Sequence, residues 1–241
     1  MLSMKTVFLK TLAMSLLCAF PSLSWANQVI SFRGDAKVDG KLVYVERHTT
    51  EYDEQGHILT AVTHYLDPSG KPLADLNTDF RENLAVPAHT FHNFRTGNEQ
   101  GLRHDGDQIV IFDHDQGKDE RIKVFTSKDA DGRIFVAGQG LNFYVLEHLA
   151  ELNDDKTLPL RLLIPGKLDA YDFALRRVHS SDPQVAEFEI KVENWFLKIF
   201  APTLHVRYDV KSKRILWYQG LSNLKNDKGD NQSVTITYAY D

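Results

Sequence analysis

Sulfur is nearly missing from this sequence. Of 241 residues, one is cysteine and three are methionine, and all four (Met1, Met4, Met14 and Cys18) fall within the first 18 positions. Residues 19–241 can therefore form no disulfide, thiolate zinc site, iron–sulfur cluster or cysteine nucleophile. Long apolar runs are missing as well. The one uninterrupted, mostly apolar run covers 11–20, about half of what spans a bilayer. There is no block of five basic residues, and the net charge is −5. The densest basic group, Lys211-Ser212-Lys213-Arg214, reads as a solvated turn, so nucleic acid is not an expected partner. No Gly-x-Ser-x-Gly elbow, phosphate-binding glycine loop or His-Glu-x-x-His helix occurs.

The first residues carry an export pattern. Lys5 and Lys10 are the early charges, the apolar run 11–20 follows, and Pro21 and Ser24-Trp25-Ala26 close the segment. This order is that of a secretory signal, with cleavage expected after Ala26. The expectation is a signal peptide over 1–26 and a single β-rich domain over 27–241. The mature chain then has 215 residues, a net charge near −7 and no transmembrane segment. Without a disulfide it must hold itself by core burial alone.

The dominant hydrophobic period is two. Leu204, Val206, Tyr208 and Val210 alternate with His205, Arg207 and Asp209. Phe188, Ile190 and Val192 alternate with Glu187, Glu189 and Lys191, and Val234, Ile236, Tyr238 and Tyr240 close the chain in the same way. These are one-sided strands. Turn clusters at 52–56, 67–70, 129–132 and 227–230 separate such runs at hairpin spacing. One segment departs from this period. Leu141, Tyr144, Val145, His148, Leu149 and Leu152 fall at helical spacing. The fold class expected is mainly β (α+β), a single antiparallel, strongly curved meander sheet or half-barrel with one packed helix between Leu141 and Leu152. A second short helix over 195–200, or a continuation of the strand before it, is also compatible with the pattern.

Three kinds of site merit weighing. His89, His92, His104, Asp113 and His114 crowd one third of the chain and offer nitrogen and oxygen ligands for a metal-dependent hydrolase. On a strand, however, His89 and His92 point to opposite faces, and nothing in the spacing makes the five converge. Glu187 and Glu189 share the wet face of a strand and read as solubilising charges rather than an acid–base pair. Aromatic residues crowd the C-terminal third. Tyr171, Phe173, Trp195, Phe196 and Trp217 are the candidates for lining an apolar concavity, with an aromatic core as the plainer reading. No cofactor is expected.

The stretch Leu168-Asp169-Ala170-Tyr171-Asp172-Phe173 with Arg176-Arg177, then Glu193-Asn194-Trp195-Phe196-Leu197, resembles an uncharacterised family of exported proteins of Gram-negative bacteria. So do Tyr208-Asp209 and 214–224 with Asp227-Lys228-Gly229. The resemblance implies a periplasmic location and one domain, and it carries no catalytic residues. In architecture the pattern is also similar to the half-barrels of periplasmic lipoprotein carriers, which bind acyl chains. The export pattern, the one-sided strands and the aromatic excess together point to a non-enzymatic protein binding a hydrophobic or acylated ligand, or a cell-envelope protein. A structural envelope protein acting through a sheet edge is the further alternative.

Overall fold

The computed structural model describes residues 28–153, 156–194 and 203–240. The expected signal segment and the pattern at 195–200 lie outside the described residues. Eight strands come first: β1 (Gln28–Val38), β2 (Lys41–Tyr52), β3 (Ile58–Leu66), β4 (Pro72–Asp79), β5 (Ala88–Asn93), β6 (Asn98–Asp105), β7 (Gln108–His114) and β8 (Arg121–Phe125). A short β9 (Ile134–Ala137) and two helices, α1 (Gly140–Glu147) and α2 (Leu149–Asn153), follow. Then come β10 (Thr157–Ile164), β11 (Asp169–Val178), β12 (Val185–Val192), β13 (Leu204–Asp209), β14 (Ile215–Leu221) and β15 (Ser233–Tyr240). The helical period between Leu141 and Leu152 is thus realised as two short helices that break at His148.

Among the described residues all fifteen strands form one sheet, running from β8 back to β1, then through β15 back to β9. Each pairing is antiparallel except β9 with β10, between which α1 and α2 return the chain to the starting end. The hairpins follow from local chemistry. Asp39 and Gly40 both adopt positive φ, at 49° and 78°, the backbone that a two-residue type I′ turn requires. The turn expected at 129–132 is not a hairpin. Asp129 caps a 3-10 turn at Ser127–Ala130, and β8 and β9 sit at opposite edges of the sheet.

A sheet this wide must curl or split. Here bulges assist the curling, with register shifts at Ala36/Lys37, Glu51/Tyr52, Tyr65/Leu66 and Arg207/Tyr208. Following the registers strand by strand gives the sheet a concave and a convex face. Leu102, Ile111 and Phe125 of β6–β8 belong to the concave face. They pack in one cluster with Phe135, Ala137 and Leu163, which lie on the convex face of β9 and β10. The two ends of the sheet therefore overlap like a scroll, the inner surface of one end lying on the outer surface of the other. Phe125 and Phe135 meet edge to face across this seam, 5.8 Å apart.

The helices fill one half of the concavity. Tyr144, Val145 and Leu152 join Val136, Leu160, Leu175, Phe188 and Ile190 in the largest core cluster, while Phe143 reaches Phe80 below β4. At the opposite end the β14–β15 loop folds inward. Leu224 is 1% exposed among Tyr44, Ala74, Leu76 and Phe91, and Arg95 binds both Asp227 and the Lys225 carbonyl.

The convex face carries ion pairs. Glu187, read from sequence as solvated, pairs with Arg207. Glu189 is buried between Lys191 and Arg176. Burial works to raise the Glu189 pKa, but hydrogen bonds from Lys191 and Arg176 outweigh it and the net shift is downward. Asp172 is lowered by its hydrogen bonds from Arg161. A depressed carboxyl pKa contributes stability above the unfolded value, and that contribution is lost as pH falls through the folded one. The urea midpoint should therefore fall as pH is lowered from about 5 towards 3, and Arg161→Met should flatten that dependence.

Candidate functional site

Strand β2 directs Tyr44, Glu46, His48 and Thr50 to the concave face, since alternate residues share a side. Glu46 is 5% exposed and His48 9%. A buried carboxylate needs hydrogen bonds or a cation, and a chain of side chains leads to this one. Gln139, just before α1, donates from Nε2 to Thr63 Oγ1 at 3.1 Å. That hydroxyl lies 2.9 Å from His48 Nδ1, and His48 Nε2 lies 2.9 Å from Glu46 Oε2. The Thr63 oxygen accepts from Gln139 and either donates to or accepts from His48 Nδ1, whereas the Glu46 carboxylate only accepts, so the imidazole donates from Nε2. The proton on Nε2 is assigned from the network. Tyr238 adds a longer contact, its hydroxyl 3.4 Å from the same Oε2.

Aromatic rings surround the pair. Phe32 stacks on His48 at 4.3 Å and on Tyr240 at 4.8 Å, and Tyr238 stands edge-on to both Phe32 and His48. Gly34 makes this possible, because a Cβ there would lie 2.9 Å from the Tyr238 ring and 3.1 Å from Glu46 Oε2. Burial first, then the Glu46 carboxylate, holds the phenols of Tyr65, Tyr218 and Tyr238 well above their usual range. Burial pushes Tyr240 up to about 12. An unfolded phenol ionises near 10, so a raised folded value contributes stability that is lost as pH climbs past about 10. An ultraviolet titration should show these tyrosinates emerging only as the protein unfolds. Normal titration of all nine tyrosines in the folded state would contradict the packing.

The order carboxylate–imidazole–hydroxyl is that of a nucleophile relay. Thr63, however, is 0% exposed, and its oxygen receives the Gln139 amide, so no substrate carbonyl can approach it. The relay is a support for Glu46. Thr63→Val should leave His48 Nδ1 and Gln139 Nε2 unpaired and cost about 1–3 kcal/mol. Chemical denaturation measures that loss.

The sequence-derived candidates are dispersed. His89 and His104 face inward, each bonded to a carbonyl oxygen, Pro87 and Val86 respectively. Asp113 is buried against Asn98 and Arg121. His92 and His114 lie on the convex face, each opposite Glu99 in the ladder. Among the described residues no group of three could hold a metal ion, so the five-residue metal site does not form. Phe173 is sealed in the core and Tyr171 packs half-buried against it. Trp217 lies on the convex face under the Arg207 guanidinium, 4.3 Å from the ring centre, and cannot line the concavity. Trp195 and Phe196 lie outside the described residues. On the convex side an open groove of about 530 Å³ runs over Thr60, Val62, Asn77, Thr90 and Phe112. Its charged neighbours are paired, Arg103 with Glu120 and Asp79 with Arg81.

Glu46 and His48 were legible in principle. The pair Glu46-x-His48, flanked by Tyr44 and Tyr52 at the same parity, puts a charge couple on an aromatic face. The apolar Val43 and Val45 between them suggest the opposite face as the inner one.

No protein-family model matches the chain, and no curated protein does. Among solved structures it is similar to the beta-barrel-like protein of domain of unknown function DUF1849 from Brucella abortus. That likeness has a TM-score of 0.41 at 9% identity and covers 89% of this chain and 98% of that one.

Proposed function

We propose that this is an exported, periplasmic, non-enzymatic protein whose scroll interior takes up a ligand with a hydrophobic or acyl body. One observation carries the reading. Several concave residues, some of them at the margin of the helix-containing cluster, remain only half-buried although they face the interior. Phe32, Tyr218, Tyr238, Tyr240, Leu204 and Ile215 are of this kind. Apolar wall of this extent, beside a few fixed polar groups, is the usual make-up of a small-molecule site. The export pattern of the first 26 residues and the resemblance of 168–177 and 214–224 to exported proteins support the location.

An environment-sensitive naphthylamine dye tests the reading. Purified protein should enhance its fluorescence, and a long-chain amphiphile should displace it. Leu204→Glu should weaken dye binding about tenfold or more by placing a charge in the apolar wall. Unchanged dye fluorescence with the folded wild-type protein would remove the ligand reading. Amino-terminal sequencing of protein recovered from the cell envelope should begin at Asn27, and an intact Met1 there would remove the export reading.

A further inference from the structure

The β14–β15 loop, residues 222–232, is braced by its own atoms. The N–H groups of Ser222, Asn226 and Gly229 donate to the carbonyls of Gln232, Asp230 and Asn226. The N–H of Leu224 donates to Ser222 Oγ, and those of Lys228 and Asp230 donate to Asn226 Oδ1. Gln232 Nε2 donates to the Leu224 carbonyl. A loop with its ends joined and its donors filled from within can move as one piece.

Its hold on the rest of the protein is slight. Leu224 is the one buried residue in the loop. Ser222 Oγ lies 2.9 Å from the Tyr44 hydroxyl, and Asn223 Nδ2 donates to the Tyr65 hydroxyl at 3.0 Å. Arg95 holds the far side through Asp227 and the Lys225 carbonyl. The Asp227 side chain is fully exposed, and an ion pair in water is a weak tether.

The loop nonetheless bridges the concavity. It leaves the sheet between β14 and β15, whereas Phe91 and Arg95 stand on and just beyond β5, with β1, β2, β3 and β4 between. Leu224 drops into the cluster of Tyr44, Tyr65, Leu76 and Phe91, and Tyr218 and Tyr238 pack against that same cluster. Those two tyrosines belong to the half-buried wall. The space that Leu224 fills is therefore the sealed continuation of the wall, and its side chain stands where the end of an alkyl chain could lie.

We infer that the β14–β15 loop is a displaceable plug of the scroll interior. Leu224 occupies the inner end of the apolar site, and a ligand fills that end only when the loop swings out about Leu221 and Ser233. This rests on the ligand-binding reading above and adds how the site is closed. Lids of this kind commonly set the rate at which a site fills.

Paired cysteines test it cleanly, because residues 27–241 contain no thiol of their own. Arg95→Cys with Asp227→Cys, joined by a short bismaleimide that carries a reducible disulfide, locks the loop in place. In stopped-flow mixing with the naphthylamine dye, the locked protein should fill about tenfold or more slowly than the same protein after reduction. Leu224→Ala shortens the plug, and octanol should displace the dye from it about fourfold or more tightly than from the wild type, the worth of one further buried methylene. If Leu224→Ala does not fold, the locked and released forms decide alone. Dye filling both forms at the same rate, or Leu224→Ala binding octanol no more tightly than the wild type, would overturn the plug and leave the apolar interior in place. Absence of dye binding by the wild type, the released form and Leu224→Ala alike would remove both readings.

Discussion

Leu163→Ala should lower the unfolding free energy by about 2–5 kcal/mol, the range for truncating a sealed leucine. Leu163 is 2% exposed, yet it lies on the convex side of β10, where an open sheet would leave it in water. It is buried because the concave side of β6–β8 covers it, beside Leu102, Ile111 and Phe125. The substitution should also do more than destabilise. It should loosen the overlap first, so that proteolysis at 126–133, the connection between the two sheet edges, precedes global unfolding. Ile122→Ala is the control. Ile122 is 52% exposed on β8 and should cost under about 0.5 kcal/mol. Equal effects of the two substitutions would mean that the ends of the sheet do not overlap.

Gly140→Ala should be nearly as damaging, although it adds one methyl group. A Cβ at Gly140 would overlap the carbonyl of Ala85 and approach Pro87 Cδ to 2.7 Å. The Ala85 carbonyl cannot retreat, because it accepts the 2.9 Å hydrogen bond from Ala137 N that ties the end of β9 to the 80–87 connection. Overpacking against fixed backbone costs about 1–3 kcal/mol or more, and the lost bond adds to it. Thermal unfolding should register the change. Hydrogen exchange at the Ala137 amide should speed up by more than global destabilisation accounts for. Gly229→Ala provides the contrast. A Cβ there meets nothing within 4 Å, so its cost is limited to the backbone strain of a positive φ of 84°.

Periodicity made the strands legible. Alternation in 188–192, 204–210 and 234–240 marked β12, β13 and β15, and helical spacing marked the segment that became α1 and α2. Turn chemistry at 52–56 and 67–70 marked true hairpins. At 129–132 the same chemistry misled, because Asp-Ala-Asp-Gly serves a 3-10 turn between the sheet's two edges as well as it serves a hairpin. The overlap itself has no local signal. Leu163 and Ala137 are apolar on a face that a half-barrel would leave wet, and only the full strand order shows what covers them. The metal cluster failed for a reason visible in period two: His89 and His92 differ by three positions and part to opposite faces. Trp217 failed by the same parity, since its neighbour Tyr218 holds the inward position. Glu46 and His48 went unread because charged residues suggest solvent. Their depth comes from the rings of Phe32 and Tyr238 on the neighbouring strands and from the Thr63–Gln139 contact beside them.

The central claim is that the half-buried concave wall takes up the apolar body of a ligand. Intermolecular nuclear Overhauser effects between octanol and the protein test it most directly. Its methylene chain should show contacts to the rings of Phe32 and Tyr238 and to the methyl groups of Leu204 or Ile215. Contacts confined to convex-face residues such as Phe112, Trp217 or Ile122, with none to Phe32 or Tyr238, would contradict the claim.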